Sequence, residues 1–139
     1  MTAKQECEML LNTLLQLVEV MLKKNGEFYP TGAVLTTDYE QTFTALESED
    51  DHPHSQDIVD ALIDIHKEMA QNNEIIVSGI AMNTTITSPN QKQSDGIIVS
   101  LEHKDNYSVV IGLSYKKGLF KKITFGEIFA LEGKHDIFK

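Results

Sequence analysis

The chain is 139 residues long, 41% apolar and 24% charged, with 21 acidic against 12 basic residues and a formal net charge of −9. That length suits one domain with a modest core. No apolar run approaches the ~18 residues of a membrane span and the first residues lack a signal-peptide pattern, so a soluble, cytoplasmic chain is expected. The single cysteine, Cys7, excludes an internal disulfide and a zinc site built from several thiolates.

Residues 2–24 carry apolar side chains at helical spacing. Cys7, Leu11, Leu14, Val18 and Met21 form a stripe that Leu10, Leu15, Leu17 and Leu22 widen. Thr2 followed by Gln5 matches a capping box, Lys23 and Lys24 suit the negative end of the helix dipole, and Asn25-Gly26 supplies a left-handed stop. Cys7 lies on the stripe and reads as a small core residue. Residues 27–46 read as a β-hairpin turning at Thr37-Asp38, its first strand beginning at or after Pro30, which has no N–H to donate.

Glu47 to His54 is a polar loop, after which Ser55 caps a second helix over 56–71. Its buried stripe includes Leu62, Ile65 and His66, while Asp57, Asp60 and Asp64 face water. The remainder reads as a meander: a long strand over 74–85, a connection over 88–96, and strands near 97–103, 107–115 and 119–131.

Two reversals set a register for the last three strands. Lys104-Asp105-Asn106, with Asn at the left-handed position, pairs Leu101 with Val109, Val99 with Ile111 and Ile97 with Leu113. Lys116-Lys117-Gly118, with Gly in the same role, pairs Ile111 with Ile123 and Val109 with Phe125. Every pair is apolar on one common face, which a slip of one residue would destroy. The predicted architecture is an α+β fold in the order α-β-β-α-β-β-β-β, an antiparallel sheet of about six strands with two helices packed on one face.

Carried to the strand ends, this register sets His103 beside Tyr107 and Tyr107 beside Glu127. A histidine, a phenol and a carboxylate in a row are either general acid–base groups or a hydrogen-bonded plug that closes the core. Gly126 is placed to bulge the last strand and turn Glu127 outward. His52 and His54, beside Glu49, Asp50 and Asp51, offer the ligand types that zinc or nickel accepts, yet no distant His/Cys pair completes a set. No metal or other cofactor is expected. His66, on an apolar helical face, reads as a hydrogen-bonded core histidine.

All twelve basic residues are lysine, and the lack of arginine argues against nucleic acid and phosphoryl transfer. Glu49, Asp50, Asp51, Asp57, Asp60 and Asp64 belong to a run of eight acids over 47–68 that contains one lysine, Lys67. Such a surface repels polyanions and speeds encounter with a basic partner. Lys116, Lys117, Lys121 and Lys122, around Gly118-Leu119-Phe120, read as protection of a strand edge rather than as a membrane contact.

The runs Ser94-Asp95-Gly96-Ile97, Leu101 to Tyr107 (LEHKDNY), Ser114-Tyr115 and Phe125 to Ala130 (FGEIFA) resemble a group of small uncharacterised bacterial α+β proteins. Their meander reads roughly "SD-hydrophobic…LEHRDGY…PY…FGEPFA". The likeness covers the C-terminal third. Asn106 stands where the pattern has Gly, and Ser114 and Ile128 stand where it has Pro. In size and acidity the group is loosely similar to immunity proteins that neutralise toxins, which implies protein binding and brings no catalytic residue with it.

Three readings stand side by side. The first is a non-enzymatic protein-binding module of immunity or inhibitor type, using the acidic 47–68 surface against a basic protein, with no nucleic acid and no membrane. The second is a small-molecule binder or enzyme centred on His103, Tyr107 and Glu127. The third is a secretion-chaperone-like or homodimeric structural protein, assembled through the first helix or a sheet edge.

Overall fold

The computed structural model describes residues 1–44, 46, 54–87, 89–90 and 92–138. Thr2 caps α1 (Ala3–Asn25): its hydroxyl accepts the Gln5 N–H while the Gln5 side chain accepts the Thr2 N–H, and Gly26 ends the helix at φ 74°. The chain continues through β1 (Thr31–Thr36), β2 (Gln41–Thr44), α2 (Ser55–Gln71), β3 (Ile75–Thr87), β4 (Gln93–His103), β5 (Tyr107–Lys117), a short 3-10 turn (Leu119–Lys121) and β6 (Ile123–Glu132). Class, element order and strand number are those expected. The six strands form one sheet in the order β2-β1-β3-β4-β5-β6, and every neighbouring pair is antiparallel.

The helices do not share a face. The α1 face of the sheet is built by Val77, Gly79 and Ala81 of β3, with Ala33, Leu35, Val99 and Leu101 beside them. Gly79 leaves room for the helix: a Cβ there would meet Leu14 Cδ1 at 2.8 Å and Leu10 Cδ2 at 3.1 Å. On the other face α2 rests on Gly32, where a Cβ would meet Leu62 Cδ2 at 3.0 Å and His66 Nε2 at 3.1 Å. The reason lies in β3, whose residues from Ile75 to Ala81 are all buried. A strand buried on both sides needs cover on both, so the helices take opposite faces.

The first predicted register holds throughout: Leu101 pairs with Val109, Val99 with Ile111, Ile97 with Leu113 and His103 with Tyr107. Asn106 takes the left-handed conformation at φ 65°. The second register does not hold. Lys116 and Lys117 extend β5 instead of turning, and Lys117 pairs with Ile123 and Tyr115 with Phe125. Gly118 is extended at φ −108°, and the left-handed positions are Phe120 and Lys121. Past Tyr115 the register shifts at an irregularity in β6, so Ile111 pairs with Ala130 and Val109 with Glu132. β4 starts at Gln93, inside the predicted connection. Among the described residues no helix is long and apolar enough to cross a membrane.

Candidate functional site

Of the predicted polar row, one contact forms and the other does not. His103 and Tyr107 face each other across the β4–β5 turn. Glu127 lies elsewhere, at the irregularity in β6, where its N–H donates to Ser114 Oγ at 2.8 Å and its carboxylate accepts from the Asn90 amide. The longer β5 displaces β6, so Glu132 rather than Phe125 reaches the level of Val109, and Glu127 does not reach Tyr107. The structure therefore does not bring His103, Tyr107 and Glu127 together.

The carboxylate that His103 finds comes from α1. Glu6 stands one turn before Leu10 and two before Leu14, so the helix carries it on the buried stripe, where it is 5% exposed. His103 Nε2 lies 2.9 Å from Glu6 Oε1, and the Asp105 N–H donates to Nδ1 at 2.9 Å. Since Nδ1 accepts, Nε2 carries the proton and donates it to Glu6. Tyr39, in left-handed conformation at φ 65° in the β1–β2 turn, donates its O–H to the second oxygen of Glu6.

Burial alone would raise the Glu6 pKa. Hydrogen bonds from Tyr39 and His103, with the positive charge of the N-terminus, outweigh it and hold the carboxyl below 4.5. The same bond pushes the Tyr39 phenol up. Chemically this network is a clamp: it joins α1, the β1–β2 turn and the β4–β5 turn, and His103 has both ring nitrogens committed. Beside it, burial and then the charges of Glu6 and Glu8 push the Cys7 thiol up to about 12, so it remains protonated and unreactive.

A second network lies on the α2 face. His66 is sealed between Thr44 Oγ1 at Nε2 (2.8 Å) and Ser78 Oγ at Nδ1 (2.6 Å). Burial lowers its pKa to about 4, so the ring is neutral at pH 7. This is the satisfied core histidine that its helical position implies. Ser78 also lies on the wall of a groove of about 350 Å3 between α2 and the sheet, with Ile63, Ile80, Ile98 and Val110. The segment after β6 closes one end: the buried Glu102 carboxylate accepts the Ile137 N–H at 3.0 Å and the Phe138 N–H at 2.6 Å.

The charged candidates separate in space. Asp57, Asp60 and Asp64 are exposed on α2, and among the described residues none of the three forms an ion pair. Glu49, Asp50, Asp51 and His52 lie outside the described residues. His54 is exposed at the N-cap of α2, and no cluster of three metal-ligating side chains occurs among the described residues. Lys116, Lys117, Lys121 and Lys122 are exposed around the β5–β6 reversal, not along the outer edge of β6.

No family model, no curated protein and no solved structure matches the chain.

Residue reasoning missed Glu6 and Glu102. Glu6 had a usable signal, because an acid four residues before Leu10 and eight before Leu14 falls inside the apolar stripe. Glu102 had none: its burial depends on a segment 35 residues further along the chain.

Proposed function

We propose that the chain is a non-enzymatic protein-binding module, of immunity or inhibitor type, that meets a basic partner protein with the solvent face of α2. The observation that carries this reading is the placement of Asp57, Asp60 and Asp64. They recur at helical spacing on one exposed stripe, unneutralised by any described cation. Carboxylates in a row without ion-pair partners give a directional negative field that speeds encounter with a positive surface. The polar interior supports the same reading, since His66 and His103 are each held between two protein partners and serve packing rather than turnover.

The test is capture of a partner from an extract of the source cells at low and high salt, with wild type and with Asp57, Asp60 and Asp64 all changed to Asn. The expected partner is basic, is lost at high salt and is captured poorly by the variant. A partner held equally by the variant, or indifferent to salt, overturns the reading.

A second reading, small-molecule binding, draws on the groove beside α2. Its mostly apolar wall, with the Ser78 hydroxyl and the Glu102 carboxylate, has the make-up of a ligand pocket. Thermal shift against a panel of small amphiphiles checks it, with Ile98→Lys expected to abolish any shift.

A further inference from the structure

Among the described residues the sheet has two unpaired edges, β2 and β6, and they differ in kind. β2 is four residues long, whereas β6 runs for ten, from Ile123 to Glu132. Soluble proteins guard a long edge with Lys, Pro or an inward charge. β6 has neither Lys nor Pro, and from Ile128 onward it reads Ile-Phe-Ala-Leu-Glu. Ile128 is 61% exposed and Leu131 59%, one on each face of the strand. The irregularity at Gly126 and Glu127 lies upstream, and from Leu113↔Ile128 to Val109↔Glu132 the pairing with β5 is regular.

The direction of the free backbone groups follows from one bond. Gly133 donates its N–H to the Ser108 carbonyl. Along an antiparallel strand, successive residues point their N–H and C=O to alternate sides. Leu131 and Phe129 therefore bond toward β5, and Glu132, Ala130 and Ile128 turn theirs outward.

From this we infer that β6 is the interface for a second copy of the chain, the two β6 strands pairing antiparallel about a two-fold axis through Ala130. In that register the outward N–H and C=O of Ala130 meet those of Ala130 in the other copy. Ile128 lies opposite Glu132, and Phe129 opposite Leu131. A two-fold interface must be self-complementary, and here the aromatic–aliphatic pair Phe129–Leu131 is made twice on one face. The tip of the Phe129 ring already lies over Gly112, where a Cβ would meet Cζ at 2.3 Å, and the ring is only partly buried. The register also brings Lys134 of each copy to the strand end that holds Glu127 of the other, a favourable charge arrangement. The product is a continuous antiparallel sheet of twelve strands, with both α1 helices on one side and both α2 helices on the other.

The choice of occupant rests on this self-complementarity. The inference is independent of the acidic-face reading, since α2 lies over β1 and β3 at the far end of the sheet.

Sedimentation of the full chain from about 1 µM to about 1 mM, the range of ordinary self-association, tests it. Wild type is expected to reach twice the monomer mass within that range. Ala130→Pro removes one N–H that faces away from β5, a position where an edge strand tolerates proline, and should weaken association at least tenfold with an unchanged circular dichroism spectrum. A wild type that stays monomeric throughout, or a variant that associates as tightly, overturns the proposal. If the variant does not fold, amide exchange on wild type decides. The Ile128, Ala130 and Glu132 amides should be protected increasingly with concentration, and exchange independent of concentration sinks the interface.

Discussion

His103 Nε2 and Glu6 Oε1 stand 2.9 Å apart across 97 residues of sequence. The bond closes the longest loop in the polar interior among the described residues, bringing the first turn of α1 onto the end of β4. Glu6→Ala leaves the buried Nε2–H of His103 without an acceptor, and that penalty is about 2–3 kcal/mol. Urea denaturation should register the loss, and a double-mutant cycle with His103→Ala should return a coupling above about 1 kcal/mol. A purely additive cycle would show that the clamp contributes nothing as a unit.

Acid should unfold the protein in two separable stages. His66 has a folded pKa lowered to about 4 against an ordinary 6.5, so between those values the unfolded chain binds the extra proton. Its contribution is complete above pH 6.5 and shrinks as pH falls toward 4, by roughly 3 kcal/mol in all. Glu6 acts lower. Its folded pKa is below 4.5, so its contribution is present above that value and is lost as pH falls through the folded one. Stability measured against pH should lose the upper slope in His66→Gln and the lower slope in Glu6→Gln.

Gly79 is where α1 meets the middle of the sheet. An added Cβ would stand 2.8 Å from Leu14 Cδ1, 3.1 Å from Leu10 Cδ2 and 3.2 Å from Leu101 Cδ2. Leu10 and Leu14 are fully buried, so neither can swing out into solvent to make room. Gly79→Ala should therefore destabilise by about 1–3 kcal/mol, although alanine favours a strand over glycine. A thermal midpoint at or above wild type would mean that the helix slides at no cost.

What could be read from residues alone was local. The capping box of Thr2 and Gln5, the stop at Gly26 and the turn at Asn106 each depend on a few neighbouring positions, and the β4–β5 register follows from that turn. The side of the sheet taken by each helix is not local. It follows from glycines at 32 and 79, one on each face, and from the run Ile75 to Ala81, whose lack of alternation marks a strand buried on both sides. The last register differs because Gly118 is extended and does not take the left-handed position. Phe120 and Lys121 occupy it instead, so the turn falls later and Glu127 misses Tyr107. The site residues shared that fate: His103 was legible on the core face, but its partner Glu6, and the Tyr39 that donates to Glu6, come from elements that only the folded sheet brings together.

Phe120 is the side chain with least reason for its conformation. It is fully exposed, packs on nothing, and holds φ 58°, a region in which a Cβ crowds the backbone. Asparagine reaches that region at lower cost through its short polar side chain. Phe120→Asn should therefore raise stability by up to about 1 kcal/mol, visible as a higher thermal midpoint, because no buried apolar area is given up. A fall in the midpoint would mean that the ring is covered in solution, and the same variant run in the sedimentation experiment would tell whether a second copy provides that cover.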